Sequence, residues 1–266
     1  MPLPLRDRFR RRSASPSTTE EFDGALPTFA VIGAMKGGTS ALHKYLGEHP
    51  QVCMSTKKET DFFFRPEGHD LAWYRSQFTE SADQYGESSP NYTKRHLVDG
   101  IAQRMHELLP DLRLIYLVRD PIERAVSHFL HNVHKGRVGS DEFETYFTDL
   151  DNQAVQTSRY HWQLEPFVKA YGLNRILVLA SETLRDDRAE TIAQVFRFLD
   201  VDPAFWSPTF DVERHVTSRK TGPYGKLLDQ PPVLSSQQHA AIAEYLRPDI
   251  DRFRALVGKD FTHWSI

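Results

Sequence analysis

The residues with the clearest chemistry lie in a glycine-rich stretch, residues 33–40, which reads Gly-Ala-Met-Lys-Gly-Gly-Thr-Ser. The stretch follows an apolar run at residues 29–32, typical of a buried strand, and precedes apolar residues at helical spacing. A glycine-rich turn between a strand and a helix points several backbone N–H groups at one spot, where the helix dipole adds positive potential. We therefore predict an anion-binding loop whose candidate ligands are Lys36, Gly37, Gly38, Thr39 and Ser40.

The loop differs from the phosphate loop of nucleotide hydrolases in the place of its lysine. That pattern has lysine directly after the second glycine, whereas position 39 here is threonine and Lys36 lies three places earlier. A lysine inside the loop reaches a different part of a ligand than one in the first helical turn. A nucleotide kinase or hydrolase, a non-catalytic nucleotide-binding module and a plain strand–helix turn with an exposed lysine are the alternatives.

A second candidate anion site follows the apolar run at residues 112–118. Arg119 stands at the carboxyl end of this run, and Ser127 lies about two turns into the next helix. Asp120 and Glu123 are spaced as the two ends of a capping box that opens this helix. Because ligands of open α/β sheets bind at the carboxyl ends of strands, the guanidinium and hydroxyl groups are expected beside the glycine-rich loop. A structural ion pair between Arg119 and a carboxylate is the alternative.

Both motifs resemble those of the sulfotransferase superfamily that uses 3′-phosphoadenosine 5′-phosphosulfate. Residues 36–42 are similar to its 5′-phosphosulfate loop, and residues 119–129 to its 3′-phosphate motif. Further stretches are similar to the branch that includes the heparan sulfate sulfotransferases; they are residues 58–63, 86–92, 219–224 and 245–261. The similarity runs from about residue 29 to the end in the order of the family.

The resemblance implies a sulfotransferase that binds this donor, releases adenosine 3′,5′-bisphosphate and needs no metal. Like phosphoryl transfer, sulfuryl transfer is in-line and depends mainly on positioning and charge stabilisation. Lys36 is the candidate for meeting charge on the leaving oxygen, and by resemblance Glu59 is the base. A histidine is the second candidate for the base, with His96, His128, His131 and His134 available. The donor ligands implied are Lys36, Gly37, Gly38, Thr39, Ser40, Arg119, Ser127 and a closing loop of Lys220, Thr221, Gly222, Pro223 and Tyr224. The acceptor-side residues implied are Lys58, Glu59, Asp61, Phe62, Phe63, Ser89, Pro90 and Asn91.

The match departs from the polysaccharide enzymes on the acceptor side. Asp61 stands where that branch has histidine, and Ser88 where it has lysine. The loss of two cation-capable groups argues against a sulfated glycan, and the aromatic residues around Phe62 and Phe63 suggest an apolar acceptor cleft. We therefore expect a hydroxyl or amine of a small or lipid-like metabolite to be the acceptor, with a glycan as the alternative.

The elements that position these residues alternate between strand and helix. Apolar runs at residues 29–32, 112–118 and 176–180 are each followed by a helical pattern, which predicts one α/β domain with a central parallel sheet flanked by helices. A last helix is expected to start near residue 235 and to bend or break at Pro248. The arginine- and serine-rich residues 1–27 predict a disordered tail, so the sulfotransferase domain is expected at residues 28–266.

The overall composition limits which classes of partner and which compartment are expected. A formal charge of −3 over 266 residues argues against a protein whose main partner is nucleic acid. The single cysteine, Cys53, excludes an internal disulfide and fits a reducing compartment. Apolar runs are too short to span a bilayer, and no secretory signal is recognised, so we expect a cytoplasmic protein. The partners expected are a nucleotide donor and a small-molecule acceptor.

Overall fold

The computed structural model of the protein describes residues 24–211 and 232–266. In these ranges five strands form one parallel sheet in the order β2-β3-β1-β4-β5. The strands are β1 (Phe29–Gly33), β2 (Val52–Met54), β3 (Gln84–Ser88), β4 (Arg113–Val118) and β5 (Ile176–Ala180). The predicted single α/β domain with a parallel sheet is confirmed, and the three apolar runs are β1, β4 and β5.

Two strands were not recognised in the sequence. The first, β2, has only three residues, and β3 reads Gln-Tyr-Gly-Glu-Ser, which has neither an apolar run nor a simple alternation. Their place in the sheet is decided by pairing: β3 lies in register against β1, and β2 completes the edge against β3. Backbone hydrogen bonds to neighbouring strands thus override the weak local preference of both segments.

The strands are buried on both faces, as continuous apolar strands predict. In β4 the alternate side chains divide between two cores: Leu114, Tyr116 and Val118 belong to one, and Ile115 and Leu117 to the other. The larger core packs under helices from the middle and end of the chain, and the smaller core under the first helix and a late one.

The helices in the described ranges cover both faces of the sheet. They are α1 (Thr39–Leu46), α2 (Leu71–Arg75), α3 (Ile101–Leu108), α4 (Pro121–His134), α5 (Phe143–Tyr146), α6 (Gln153–Thr157), α7 (Tyr160–Tyr171), α8 (Ser181–Asp186), α9 (Arg188–Phe198) and α10 (Ser236–Val257), with short 3₁₀ turns at Ser140–Glu142, Leu173–Arg175 and Pro208–Asp211. The two cores contain side chains from α3, α4, α7 and α10 on one face and from α1 and α9 on the other.

Pro248 does not break the last helix. Helix α10 starts at Ser236 behind the capping box of Ser235 and Gln238, as predicted, and continues through Pro248 to Val257. An interior proline costs a helix about 3 kcal/mol. Leu246 and Ile250 on either side of it are completely buried, so packing of the apolar face holds the helix together across the missing N–H.

The predicted disordered tail, residues 1–27, overlaps the described residues at positions 24–27. Residues 24–27 belong to the folded domain: Leu26 packs against the larger core, and the Arg75 guanidinium donates to the Gly24 carbonyl oxygen at 3.5 Å. The remaining tail, residues 1–23, and the predicted closing loop, Lys220, Thr221, Gly222, Pro223 and Tyr224, lie outside the described residues.

Candidate active site

The glycine-rich loop leaves β1 and folds back against the carboxyl end of β4. The Ala34 N–H donates to the Leu117 carbonyl oxygen at 2.6 Å, and the Gly37 N–H donates to the Ala34 carbonyl oxygen at 2.9 Å. A Cβ atom on Gly37 would lie 2.5 Å from the Leu117 carbonyl oxygen. Gly37 is therefore required so that the loop can pack on its own sheet.

Gly38 is the N-cap of α1, with a φ of 101° that favours glycine. The helix begins at Thr39 and its N-cap has no side chain, so neither Thr39 nor Ser40 caps it through a hydroxyl. The N-terminus of α1 thus has no side-chain cap, and Gly38, Thr39 and Ser40 line a cleft. Lys36, also lining this cleft, has a φ of 70°, a left-handed conformation that residues at ligand sites often adopt.

Arg119 enters the same cleft from the end of β4. Its guanidinium donates to Glu123 Oε2 at 2.6 Å, and the Tyr160 hydroxyl donates to its carbonyl oxygen at 2.6 Å. The predicted capping box is only half formed. Asp120 caps α4 by accepting from the N–H groups of Ile122 and Glu123, but the Glu123 carboxylate bonds Arg119 instead of the N-cap. The capping and ion-pair interpretations of this segment therefore both hold.

The two predicted anion sites share one cleft of about 1020 Å³ at the carboxyl ends of the strands. Ser127, buried on α4, lines it beside Arg119. Among the cleft residues that the sequence did not indicate are several that follow β5, including Ser181, Arg185 and Arg188. The rule that strand ends meet at one edge would have found them had it been applied to β5 as well as to β1 and β4.

The segment after β2 brings a carboxylate to the cleft. The Lys58 ammonium donates to Glu59 Oε1 at 2.7 Å, and the Glu59 side chain is 46% exposed. Pro90 and Asn91, from the turn after β3, line the same region. Asp61 lies behind them: its carboxylate accepts from the Asn91 amide at 3.0 Å, and burial raises its pKa above the ordinary value.

A completely buried carboxylate, Glu87, holds this segment in place. It accepts from the hydroxyls of Thr60, Ser89, Tyr74 and Tyr92 at distances from 2.5 to 2.7 Å. Burial is the main cause that raises the pKa of Glu87, and the four hydroxyl donors oppose it. Because Thr60 directly follows Glu59, this network fixes where the cleft carboxylate lies. Ser89 is therefore a support of the site and does not line it.

Two phenylalanines of the predicted acceptor site lie outside the cleft. Phe63 is 5% exposed and belongs to the larger core, and Phe62 stacks on Tyr74 with ring centroids 4.2 Å apart. Neither phenylalanine lines the cleft. The hydroxyls of the neighbouring Tyr74 and Tyr92 donate hydrogen bonds to the buried Glu87 carboxylate. The apolar pattern of this stretch thus serves core packing, the commoner use of aromatic residues.

The candidate histidines occupy different environments. His128 is 1% exposed beside the Arg124 guanidinium, and burial together with that cation keeps its pKa far below the usual range. It is a weak base in this setting. His131 lines the cleft.

The sequence analysis did not identify Lys94, a buried cation that lines the cleft. Lys94, in the turn after β3, lines the cleft but is only 5% exposed. Its position carries no motif, and it follows a strand that was not recognised. Ser88, which stands in place of a family lysine, is fully buried and bonds His43 Nδ1 at 3.1 Å. Lys94 thus supplies a cation close to the segment where the family pattern led us to expect one to be lost.

Within residues 24–211 and 232–266, no three His, Cys, Asp or Glu side chains are grouped as metal ligands would be. Over the same part of the chain, no helix combines the length and apolarity needed to cross a bilayer.

The model of the sulfotransferase domain family matches residues 26–218, which include the glycine-rich loop, Glu59 and Arg119. This chain belongs to that family. The resemblance to the sulfotransferase superfamily seen in the sequence is thus confirmed.

Curated relatives of this sulfotransferase include heparan sulfate enzymes. Mouse heparan sulfate glucosamine 3-O-sulfotransferase 3A1 is 27% identical over 261 residues, covering 91% of this chain and 65% of the relative, so the chain spans about two thirds of that protein. Human heparan sulfate glucosamine 3-O-sulfotransferase 6 is 28% identical, covering 88% of this chain and 73% of the relative. The crystal structure of a sulfotransferase from Alicyclobacillus acidocaldarius superposes with a TM-score of 0.74 at 24% identity over 91% of this chain and all of that one.

Proposed function

We propose that this chain transfers a sulfuryl group from 3′-phosphoadenosine 5′-phosphosulfate to a hydroxyl or amine. The observation that carries the proposal is the shared cleft, in which an uncapped helix N-terminus with Lys36, a separate arginine and hydroxyl pair, and the Glu59 carboxylate meet. Family membership and the relatives named above support the same reaction.

Each group has a distinct part in this proposal. The donor supplies an activated sulfuryl group and a good leaving group. The loop amides at Gly38 to Ser40 and Lys36 would hold its phosphosulfate, because amides and an ammonium donate to anionic oxygens without reorganisation. Arg119 and Ser127 would hold the 3′-phosphate. Glu59, which pairs with the Lys58 ammonium at 2.7 Å, would accept the proton of the attacking group.

Glu123 is a carboxylate that competes with a 3′-phosphate for the Arg119 guanidinium. Its carboxylate pairs with Arg119 at 2.6 Å, so a phosphate must compete with it for the guanidinium. The pair is partly exposed, with side-chain exposures of 32% and 62%, and exposed pairs contribute about 0–1 kcal/mol. A doubly charged phosphate therefore displaces it at small cost.

The geometry disfavours the kinase alternative. A magnesium-dependent kinase needs a free carboxylate at the end of a strand, and Asp120 is the aspartate that follows β4 beside the glycine-rich loop. Both of its oxygens are engaged: Oδ1 accepts from the N–H groups of Ile122 and Glu123, and Oδ2 accepts from the Ser265 N–H.

The cleft lining favours a polar acceptor over a lipid-like one. Besides apolar residues such as Val126 and Leu130, it carries cations that are not among the predicted donor ligands, while Phe62 and Phe63 pack in the core. These cations include Lys58, Lys94, Lys135 and Arg137. We therefore propose a small polar metabolite or a saccharide as the acceptor, and place the lipid-like class second.

Calorimetry tests the donor, and mass spectrometry tests the reaction. Adenosine 3′,5′-bisphosphate should bind more tightly than ATP, with or without magnesium. Incubation of a metabolite and oligosaccharide panel with the sulfuryl donor should then yield products heavier by one sulfuryl group, absent from incubations with the Lys36→Ala variant. Tighter, magnesium-dependent binding of ATP would favour a kinase.

A further inference from the structure

The turn after β3 places a second cation in the floor of the cleft. Lys94 comes from residues that surround the acceptor side, yet its ammonium reaches the phosphate loop, where it lies 3.0 Å from Met35 Sδ. Met35 directly precedes Lys36. The ammonium therefore lies at the loop that holds the donor, and it lines the cleft together with Glu59.

The protein environment of Lys94 does not balance its charge. Among the described residues, the hydrogen-bond partner of its ammonium is the Met35 thioether, which is a weak acceptor. A second cation beside it, Arg124, is fully buried. Its guanidinium donates to Ser158 Oγ and to the carbonyl oxygens of Met35 and Ala154. It also contacts His128 Nδ1. None of these partners is a carboxylate. Buried charges without a counter-ion are costly and are normally paired.

The nearby carboxylates are committed elsewhere. Glu59 pairs with Lys58 at 2.7 Å, and Asp61 accepts from the Asn91 amide. Burial and the Arg124 charge lower the pKa of Lys94 to about 8, while Glu59, Asp61 and Arg137 act more weakly. An anionic ligand group in the cleft would supply the counter-charge that Lys94 lacks.

We propose that Lys94 is a catalytic residue that binds the oxygens of the sulfuryl group during its transfer. The proposal rests on the proposed function, since a group passing from a donor on the phosphate loop to a nucleophile beside Glu59 must cross the space between Met35 and Glu59. In that step, a lone pair of the acceptor oxygen or nitrogen forms the new bond to sulfur. The bond from sulfur to the bridging oxygen breaks with its electron pair going to the nucleotide phosphate, and the acceptor proton goes to Glu59. Lys94 exchanges no proton; it donates hydrogen bonds to the sulfuryl oxygens throughout.

The test compares two nucleotides that differ only in the sulfuryl group, and it needs no acceptor. Calorimetry on the whole chain measures the affinity for adenosine 3′,5′-bisphosphate and for the phosphosulfate donor, with chromatography confirming that the donor stays intact. Lys94→Met keeps the length of the side chain and removes the charge. Lys169→Met is the matched control, because Lys169 is 71% exposed on α7 and pairs with Glu165.

Lys94→Met should weaken donor binding by about 10- to 100-fold, the loss expected for one hydrogen bond to a charged group. Binding of the bisphosphate should change less than about threefold, which also shows that the variant is folded, and Lys169→Met should change neither. Equal weakening of both nucleotides would make Lys94 a general support of the loop, and unchanged donor binding would remove it from the site; either result overturns the inference. If the wild type binds neither nucleotide, the proposed function itself fails.

Discussion

Replacing Lys94 by methionine should make the protein more stable while impairing its function. The lysine is 5% exposed, and burial is the main reason that its pKa falls from 10.5 to about 8. A fall of this size corresponds to about 3 kcal/mol of unfavourable free energy in the protonated form. Methionine has a similar length and no charge, so it relieves this cost and packs against Met35. We expect the free energy of unfolding of Lys94→Met to exceed that of the wild type by about 1–3 kcal/mol at pH 7.

The stability that Lys94→Met gains over the wild type should depend on pH between about pH 8 and 10.5. Below about pH 8 the lysine is protonated in both the folded and the unfolded state, and the folded state bears the full cost. Between about pH 8 and 10.5 the folded protein loses the proton while the unfolded chain keeps it, so wild-type stability rises with pH relative to the variant. The difference between the two proteins should vanish near pH 10.5.

Urea unfolding followed by circular dichroism, at intervals from pH 7 to 10.5, measures this difference directly. Other groups titrate in this range, but they are common to both proteins and cancel in the comparison. Lys169→Met, at an exposed position, should track the wild type within about 0.5 kcal/mol. A Lys94→Met protein that is less stable than the wild type at pH 7, or a difference that does not shrink with pH, would refute the argument that this cation lacks a counter-ion.

Three further outcomes follow from the site. Arg119→Ala should weaken binding of adenosine 3′,5′-bisphosphate by about 2–4 kcal/mol but hardly affect adenosine 5′-phosphate; calorimetry showing equal losses would make the arginine structural. Lys36→Ala should lower turnover by about 10²–10³-fold and also weaken donor binding. Glu59→Gln should lower turnover by about 10²–10⁴-fold and leave donor affinity unchanged. Full turnover of Glu59→Gln would show that another residue is the base, and His131 would be the next to test. Tyr92→Phe removes a 2.7 Å hydrogen bond to the buried Glu87 carboxylate and should cost about 1.5–3 kcal/mol in urea unfolding, without changing nucleotide affinity; a loss of affinity at unchanged stability would contradict its supporting role.

The location of the protein stays a prediction. Its only support is the single Cys53 and the apolar pattern of the sequence. The curated relatives include a membrane-associated sulfotransferase of Dictyostelium discoideum, 34% identical over 133 residues and matching 47% of this chain.

Local patterns in the sequence were enough to predict three of the five described strands, the glycine-rich loop, and the segment after β4 that meets this loop in one cleft. An apolar run followed by glycines or by Asp120 carries its own signal, because strand burial, the αL turn at Gly38 and the cap of α4 depend on neighbouring residues. The same holds for the start of α10 at its capping box. The resemblance then assigned chemistry to Lys36, Arg119 and Glu59.

The tertiary structure decided what depends on partners far along the chain. Phe63 and Lys94 are two opposite examples. The sequence pattern suggested that Phe63 lines an aromatic cleft, but it belongs to the core. Lys94 follows a strand that was not recognised and carries no motif, yet it lines the cleft. Glu87 could not be understood from sequence either, since its four hydroxyl donors come from three separate segments. Burial and long-range pairing are properties of the packed molecule, so residues whose role comes from either can be identified only once the chain is folded.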